Sequence, residues 1–352
     1  MKQVILTLAT LAVLGLVGAA AVVGLGLYNV SARVGHLPGV SWVLHTTFRN
    51  SVDLRAERPE RMPDLADPAL IALGAKHYET ACLPCHAEPG RERTATMAAL
   101  VPEPPHIDEA VGDWTPAELH WIVYNGVKMS GMPHWPAERR EEEVWSVVAY
   151  LEAVQQGIEP QAQQALTADP QVEGPEHAAW CASCHGGVER HVPRLDILTE
   201  TQIAEALEEY RSGARPSGIM QQAASIPTEA ELKELAAWFG DRQPRGAGSG
   251  GGGAAERGAV LAQRGTEEVP ACTACHGPGA TEPNPHFPSL AGQDRAYLAT
   301  QLRLWRDGTR HGSALMTKAA RALEDDQIAE LAAWFASLPP QKGTGAPAAA
   351  EE

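Results

Sequence analysis

The chain has 352 residues and is strongly acidic, with 44 Asp and Glu against 28 Lys and Arg and a formal net charge of −16. No basic patch emerges from this balance, which excludes a nucleic-acid-binding role resting on phosphate contacts. Aromatic residues make up 5% of the chain and cysteines number six, so side chains alone supply a limited core and each cysteine needs a chemical reason.

Val4 to Tyr28 contains no charged residue, and about 20 apolar residues suffice to cross a bilayer as a helix. Lys2 and the α-amino group precede the run, so the positive-inside rule keeps the N-terminus cytoplasmic and sends the rest across. Val30-Ser31-Ala32 resembles a small-residue cleavage site, but a signal h-region runs only about 7–15 residues. The reading is therefore an uncleaved anchor over residues 1–28, followed by a juxtamembrane extension over 29–66. That extension is rich in Arg, Pro and His with no sustained period, and is expected to lie over the following unit or along the membrane surface.

Beyond it, three Cys-x-x-Cys-His motifs consume every cysteine: Cys82-Leu83-Pro84-Cys85-His86, Cys181-Ala182-Ser183-Cys184-His185 and Cys272-Thr273-Ala274-Cys275-His276. Two cysteines three apart on one helical turn can form thioethers with the two vinyl groups of a haem, and the adjacent histidine reaches the iron from below. This is the attachment signature of c-type haem, and three copies predict three covalently held haem c groups. A zinc ribbon would need a second pair about 15–20 residues on, and a thioredoxin-like pair a strand-to-helix junction; neither pattern is present. In bacteria c-type haem is attached on the periplasmic side, which places the three units there and the anchor in the inner membrane.

Each motif anchors one unit: residues 67–156, 172–242 and 255–340, here called units one, two and three. A Gln/Pro/Ala segment joins the first two. A linker over 243–254, glycine-rich from Gly246 to Gly253, joins the last two and reads as a flexible tether that does not pack. The Pro/Ala/Gly-rich tail, 341–352, is expected to be disordered. Helix formers dominate while alternating Val/Ile segments are scarce, so the predicted class is all-α.

Units two and three repeat one another. Tyr210-Arg211-Ser212-Gly213-Ala214-Arg215 matches Trp305-Arg306-Asp307-Gly308-Thr309-Arg310, a methionine follows each (Met220, Met316), and Glu234-Leu235-Ala236-Ala237-Trp238-Phe239 matches Glu330-Leu331-Ala332-Ala333-Trp334-Phe335. Unit one closes more distantly with Val144-Trp145-Ser146-Val147-Val148-Ala149-Tyr150-Leu151.

With these residues in view, each unit resembles a class I cytochrome c. Units two and three resemble the c-four group of di-haem bacterial cytochromes, most specifically through Phe287-Pro288-Ser289-Leu290-Ala291-Gly292-Gln293 with Tyr297-Leu298 and Gln301-Leu302. Unit one is similar to the single-haem domains of membrane-bound respiratory complexes through Gly126-Val127-Lys128-Met129-Ser130-Gly131-Met132-Pro133, with Gly74 and Tyr78 matching that family's helix-crossing glycine and aromatic. Unit two departs from the pattern: it has no clear long first helix and lacks the Ala-Gly-Gln string.

The resemblance implies proximal iron ligation by His86, His185 and His276 and distal ligation by Met132, Met220 and Met316. Met129, His134, His191, His286 and His311 are the competing candidates; Met129 reads as core packing, His191 lies too near His185 to reach the opposite face, and His286 and His311 read as solvent-facing. A methionine thioether raises the potential relative to a second histidine. The resemblance further implies that a proline carbonyl holds each proximal ring, nominating Pro104 or Pro105, Pro193 and Pro288. His106, His120, His134 and His177 show no metal-ligand spacing.

Two function classes follow. In the first, saturated His/Met haems relay single electrons in a respiratory chain, between a dehydrogenase or quinol-oxidising complex and a cytochrome or terminal oxidase; the chain then has no catalytic residue of its own. In the second, a haem enzyme such as a peroxidase or small-molecule reductase has one open or labile haem, with unit two the place for it. No Rossmann fingerprint or P-loop is present, so nicotinamide, flavin and nucleotide chemistry is unsupported. Unit one carries six basic against fourteen acidic residues, unit two six against twelve and unit three eight against ten, so a basic redox partner would be steered toward units one and two.

Overall fold

The computed structural model describes residues 1–56, 62–186, 191–248, 251–276 and 286–343. Among the described residues there are helices and one isolated bridge, Glu88 with Arg91, but no strand. The all-α class expected from composition is the class observed.

The first helix, α1 (Lys2–Gly24), buries none of its residues and is long and apolar enough to cross a membrane. A second helix, α2 (Val40–Arg55), occupies the segment that shows no sustained period. It needs none, because it is held along one edge. Val52 is fully buried, the Phe48 ring meets Trp114 edge-on at 5.6 Å, and the Arg49 guanidinium lies 4.6 Å over the same Trp114 ring. Of the two placements open to the extension, α2 takes the one against unit one, and it does so as a helix; residues 57–61 fall outside the described residues.

Unit one is built on the crossing of α3 (Pro68–Ala81) and a later helix, α8 (Glu141–Gln155), with α4 (Leu83–His86), α5 (Ala95–Ala98), α6 (Ile107–Ala110) and α7 (Pro116–Asn125) between them. Asp67 caps α3 by accepting from Ala69 N at 2.9 Å, and Pro68 takes the first helical position, where its missing N–H costs nothing. At the crossing a Cβ on Gly74 would sit 1.8 Å from the Ser146 carbonyl oxygen, so only glycine lets the two backbones touch. Tyr78, Val147, Val148 and Tyr150 fill the interior beside it. The Gln/Pro/Ala segment contains a further helix, α9 (Pro160–Thr167), which packs back on α3. Lys76 donates to the Thr167 carbonyl and pairs with Asp169 at 2.7 Å, so the segment is part of unit one's wall.

Unit two contains α10 (Ala178–His185), α11 (Glu200–Arg211), α12 (Gly218–Ala224) and α13 (Glu229–Asp241), and unit three α14 (Gly252–Arg264), α15 (Thr273–His276), α16 (Arg295–Asp307), α17 (Ala314–Arg321) and α18 (Asp325–Ser337). Unit three repeats the glycine crossing: a Cβ on Gly258 of α14 would lie 2.1 Å from the Glu330 carbonyl oxygen of α18. Unit two has only the short α10 in the corresponding place.

The glycine-rich segment departs from the tether expected. A Cβ on Gly248 would come within 2.2 Å of the Ser337 carbonyl oxygen, and α14 already begins at Gly252. Glycines here permit close backbone packing rather than slack; residues 249–250 lie outside the described residues. The start of the tail is docked as well. Lys342 donates to the carbonyls of Gly240 and Arg242, and Gly343 N donates to Ile197 O at 3.0 Å. The remainder of the tail, 344–352, is outside the described residues.

Candidate haem sites

Each Cys-x-x-Cys-His motif is folded into a helical turn. In unit one Cys85 N and His86 N both donate to Cys82 O, at 3.1 and 3.0 Å; in unit three Cys275 N and His276 N donate to Cys272 O, at 3.2 and 2.9 Å. Cys181 and Cys184 lie within α10. Tyr78 pins the first turn by donating its hydroxyl to Ala87 O at 2.6 Å, immediately after His86.

The three histidines then share one geometry. The Nδ1 of His86 meets Pro105 O at 2.8 Å, that of His185 meets Pro193 O at 2.7 Å and that of His276 meets Pro288 O at 3.0 Å. A carbonyl only accepts, so each Nδ1 carries the proton and each Nε2 keeps its lone pair for a metal. Burial pulls all three imidazoles below their ordinary pKa, opposed by the proline carbonyls; a neutral ring is the form that ligates iron. Pro105, not Pro104, takes the ring in unit one, while Pro104 O accepts from Arg93 Nη1 at 2.7 Å.

The distal candidates divide by exposure. Met132 is half-buried in a turn closed by Val127 N donating to Met132 O at 3.1 Å, with Met132 N on Ser130 Oγ at 3.1 Å. Met129 is 93% exposed at φ 61°, which corrects its reading as core packing: the tight turn between Gly126 and Pro133 turns it outward. Met220 and Met316 occupy equivalent places, each with its backbone N–H on a serine that caps its helix, Ser217 at 3.1 Å and Ser313 at 3.3 Å. In unit two His185, Cys181 and Met220 line one cleft together with Leu195, Leu207 and Leu235, a predominantly apolar lining of the kind that receives a bound cofactor.

Several other histidines have structural partners. His191 binds Asp67 Oδ2 at 2.7 Å, His106 donates to Arg91 O at 2.9 Å and His120 stacks on Trp145 with ring centroids 4.3 Å apart. His286 sits 3.1 Å from Glu205 and is 64% exposed; His311 is exposed too. Sequence spacing missed the approach of His177 to Glu176 and Glu231, whose ligand atoms lie within 4.8 Å of one another, because Glu231 is distant in the chain. Among the described residues no cysteine joins a cluster of three or more His, Cys, Asp or Glu ligands. Before any thioether forms, burial pushes the Cys82 and Cys181 thiols up to about 12 and Cys272 to about 11. A structural zinc site needs four converging ligands, and among the described residues no such group contains a cysteine, so the donor set does not fit zinc. Paired thiols on one turn, a neutral histidine with Nε2 free and an apolar cleft do fit haem c.

Comparison with known proteins agrees. The family model described as cytochrome c oxidase, cbb3-type, subunit III matches residues 69–151 and 253–335, segments holding the first and third motifs. The thiosulfate dehydrogenase electron acceptor of Thiomonas intermedia (strain K12) is 37% identical over 176 residues, covering 47% of this chain and 81% of that protein. The protein of the same name from Stutzerimonas stutzeri (strain A1501) is 40% identical with the same coverage. Among solved structures, a cytochrome c4 of Acidithiobacillus ferrooxidans is 29% identical over 45% of this chain and 98% of its own, at a TM-score of 0.41. Cytochrome c domains imply covalently bound haem c, and the chain belongs to the family of electron-transfer c-type cytochromes that includes the thiosulfate dehydrogenase electron acceptors and cytochrome c4.

Proposed function

We propose that this protein is a membrane-anchored, periplasmic tri-haem relay, with units one, two and three each carrying one haem c. Cys82 and Cys85, Cys181 and Cys184, and Cys272 and Cys275 would form the thioethers. His86, His185 and His276 would be the proximal ligands, and Met132, Met220 and Met316 the distal ones. The observation that carries this reading is the threefold recurrence of a motif histidine held on a proline carbonyl at 2.7–3.0 Å. Bound haem supplies the one-electron couple. The chain fixes the ring tautomers, offers thioethers that favour reduced iron and excludes water with apolar walls.

The anchor reading is supported by α1, 23 residues long and without buried side chains. Trp42 of α2, 71% exposed close after it, suits a membrane interface. By likeness to the thiosulfate dehydrogenase electron acceptors, the proposed donor is a dehydrogenase of that type, with a further cytochrome or terminal oxidase as acceptor.

The test begins with intact mass and haem absorbance of the detergent-purified chain, expected to give three haems with residues 1–28 retained. Replacing Cys181 and Cys184 by alanine should remove one haem. Carbon monoxide should bind the reduced protein slowly and substoichiometrically; rapid stoichiometric uptake at one haem would transfer the assignment to a haem enzyme. Mixing with thiosulfate and a thiosulfate dehydrogenase should reduce the haems, and no reduction would reject that donor.

A further inference from the structure

The helix that carries Met220 is fastened at its first turn by unit one. Glu143, in the first turn of α8, has a side chain only 10% exposed, and Arg140 Nη2 approaches its Oε1 at 2.5 Å. The same oxygen accepts from Ser217 Oγ at 2.5 Å, while Oε2 accepts from Gly218 N at 2.7 Å and from Trp135 Nε1 at 3.3 Å. Arg140 also donates to the Pro216 carbonyl. Ser217 Oγ in turn accepts from Met220 N at 3.1 Å, so one hydroxyl donates to unit one's carboxylate and receives the methionine's N–H.

Apolar packing reinforces these bonds. A Cβ on Gly218 would lie 2.2 Å from Trp135 Nε1, and Ile219 packs on the apolar core of unit one. The repeat gives an internal control. In unit three Ser313 caps α17 and receives Met316 N, but Ala314 and Leu315 stand where Gly218 and Ile219 stand in unit two, and Leu315 is 69% exposed. Among the described residues no carboxylate meets Ser313. Local folding therefore suffices to place Met316, whereas Met220 has an added clamp.

We propose that Glu143 is a positioning residue for the distal methionine of unit two: from unit one it holds the first turn of α12, and through Ser217 it keeps Met220 over the second haem site. The inference rests on the reading of Met220 as distal ligand. It makes the sixth ligand of the second haem conditional on unit one being docked, and involves no covalent or redox step of its own.

The full-length haem-loaded protein tests it with Glu143→Gln, Ser217→Ala, the double variant and Met220→Ala. Loss of one charge-assisted hydrogen bond should raise carbon monoxide uptake by one haem of three about tenfold in Glu143→Gln and in Ser217→Ala. The sulfur-to-iron charge-transfer absorption of the ferric protein should weaken by one haem's share as pH or temperature rises. The double variant should exceed neither single variant by the product of their effects, because the groups act in series. Ser313→Ala should act on a different haem and add independently. If Met220→Ala opens one carbon monoxide site while Glu143→Gln and Ser217→Ala behave as wild type, the clamp is overturned and the ligand assignment stands. If Met220→Ala opens no site, the ligand assignment fails and the proposal fails with it. Should Glu143→Gln lose haem or misfold, Gly218→Ala decides the matter: it keeps the Ser217 cap on Met220 and pushes α12 away from Trp135 of unit one, so raised carbon monoxide uptake supports the clamp and wild-type uptake overturns it.

Discussion

His77 is perturbed by packing without taking part in ligation. It is 6% exposed, its ring centroid lies 4.9 Å from that of Trp135, and burial pulls its pKa from 6.5 to about 4. The unfolded chain takes up this proton near pH 6.5 while the folded chain refuses it until about pH 4, so the unfolded state binds more protons in that window. Stability contributed by neutral His77 is present above the unfolded pKa and lost as pH falls through the window, by at most about 3 kcal/mol. Thermal unfolding of wild type and His77→Gln should therefore converge below pH 6.5 from a constant difference above it; parallel curves across that range would refute the assignment. At this scale the sequence was readable wherever chemistry dictates spacing. The motif cysteines and histidines announce themselves, and the proline partners follow from the resemblance. His77 and the exposed Met129 were not legible, because exposure depends on how the chain turns between distant contacts.

Helix crossings turn on single glycines. Gly74 against Ser146 and Gly258 against Glu330 leave no room for a methyl, with Cβ positions 1.8 and 2.1 Å from carbonyl oxygens. Gly74→Ala would gain slightly in helix propensity, about 1 kcal/mol, but must separate α3 from α8 and open the packing around Tyr78 and Val147. The loss should outweigh the gain by roughly 2–4 kcal/mol. Chemical denaturation should show it, with the absorbance of unit one's haem changing first while the haem stays covalently attached; an unchanged midpoint would mean the crossing relaxes freely. The closing helices α8, α13 and α18 were legible because each buries an apolar stripe. The helices α2 and α9 were not. The first buries only Val52 and the second buries Gln163, so neither carries the apolar period by which a helix is recognised.

Many contacts between units are polar and specific, and these carry no periodic signal by which a sequence reading could find them. Gln293, 3% exposed, accepts from Arg194 N at 2.8 Å and donates to Arg194 O at 3.2 Å, next to the Pro193 that holds His185. The Ala-Gly-Gln string of unit three thus braces the loop of unit two that carries Pro193. Arg215 of unit two reaches Tyr297 at 3.0 Å, and Asp67 of unit one meets His191. Gln293→Ala would leave both backbone groups of Arg194 buried and unpaired, a cost of about 2 kcal/mol. Denaturation should register this loss together with a shifted midpoint potential for the second haem alone.

The whole molecule also carries a charge gradient that its partners must meet. Acidic excess concentrates in units one and two, with fourteen acidic against six basic residues and twelve against six, and fades in unit three at ten against eight. A basic redox partner approaching units one and two gains long-range attraction, which is screened beyond about 10 Å at 0.1 M salt. Its second-order rate of electron exchange should fall about tenfold or more between low and physiological ionic strength. Glu109→Lys, at an exposed position near Pro105, should lower the low-salt rate and flatten the slope, because a charge at the rim acts chiefly on the association rate. Stopped-flow reduction across a salt series measures both. A rate independent of salt would assign the acidic surface to solubility alone. A salt dependence unaltered by Glu109→Lys would instead place the encounter away from this edge of unit one, on unit two, where the acidic field is nearly as strong.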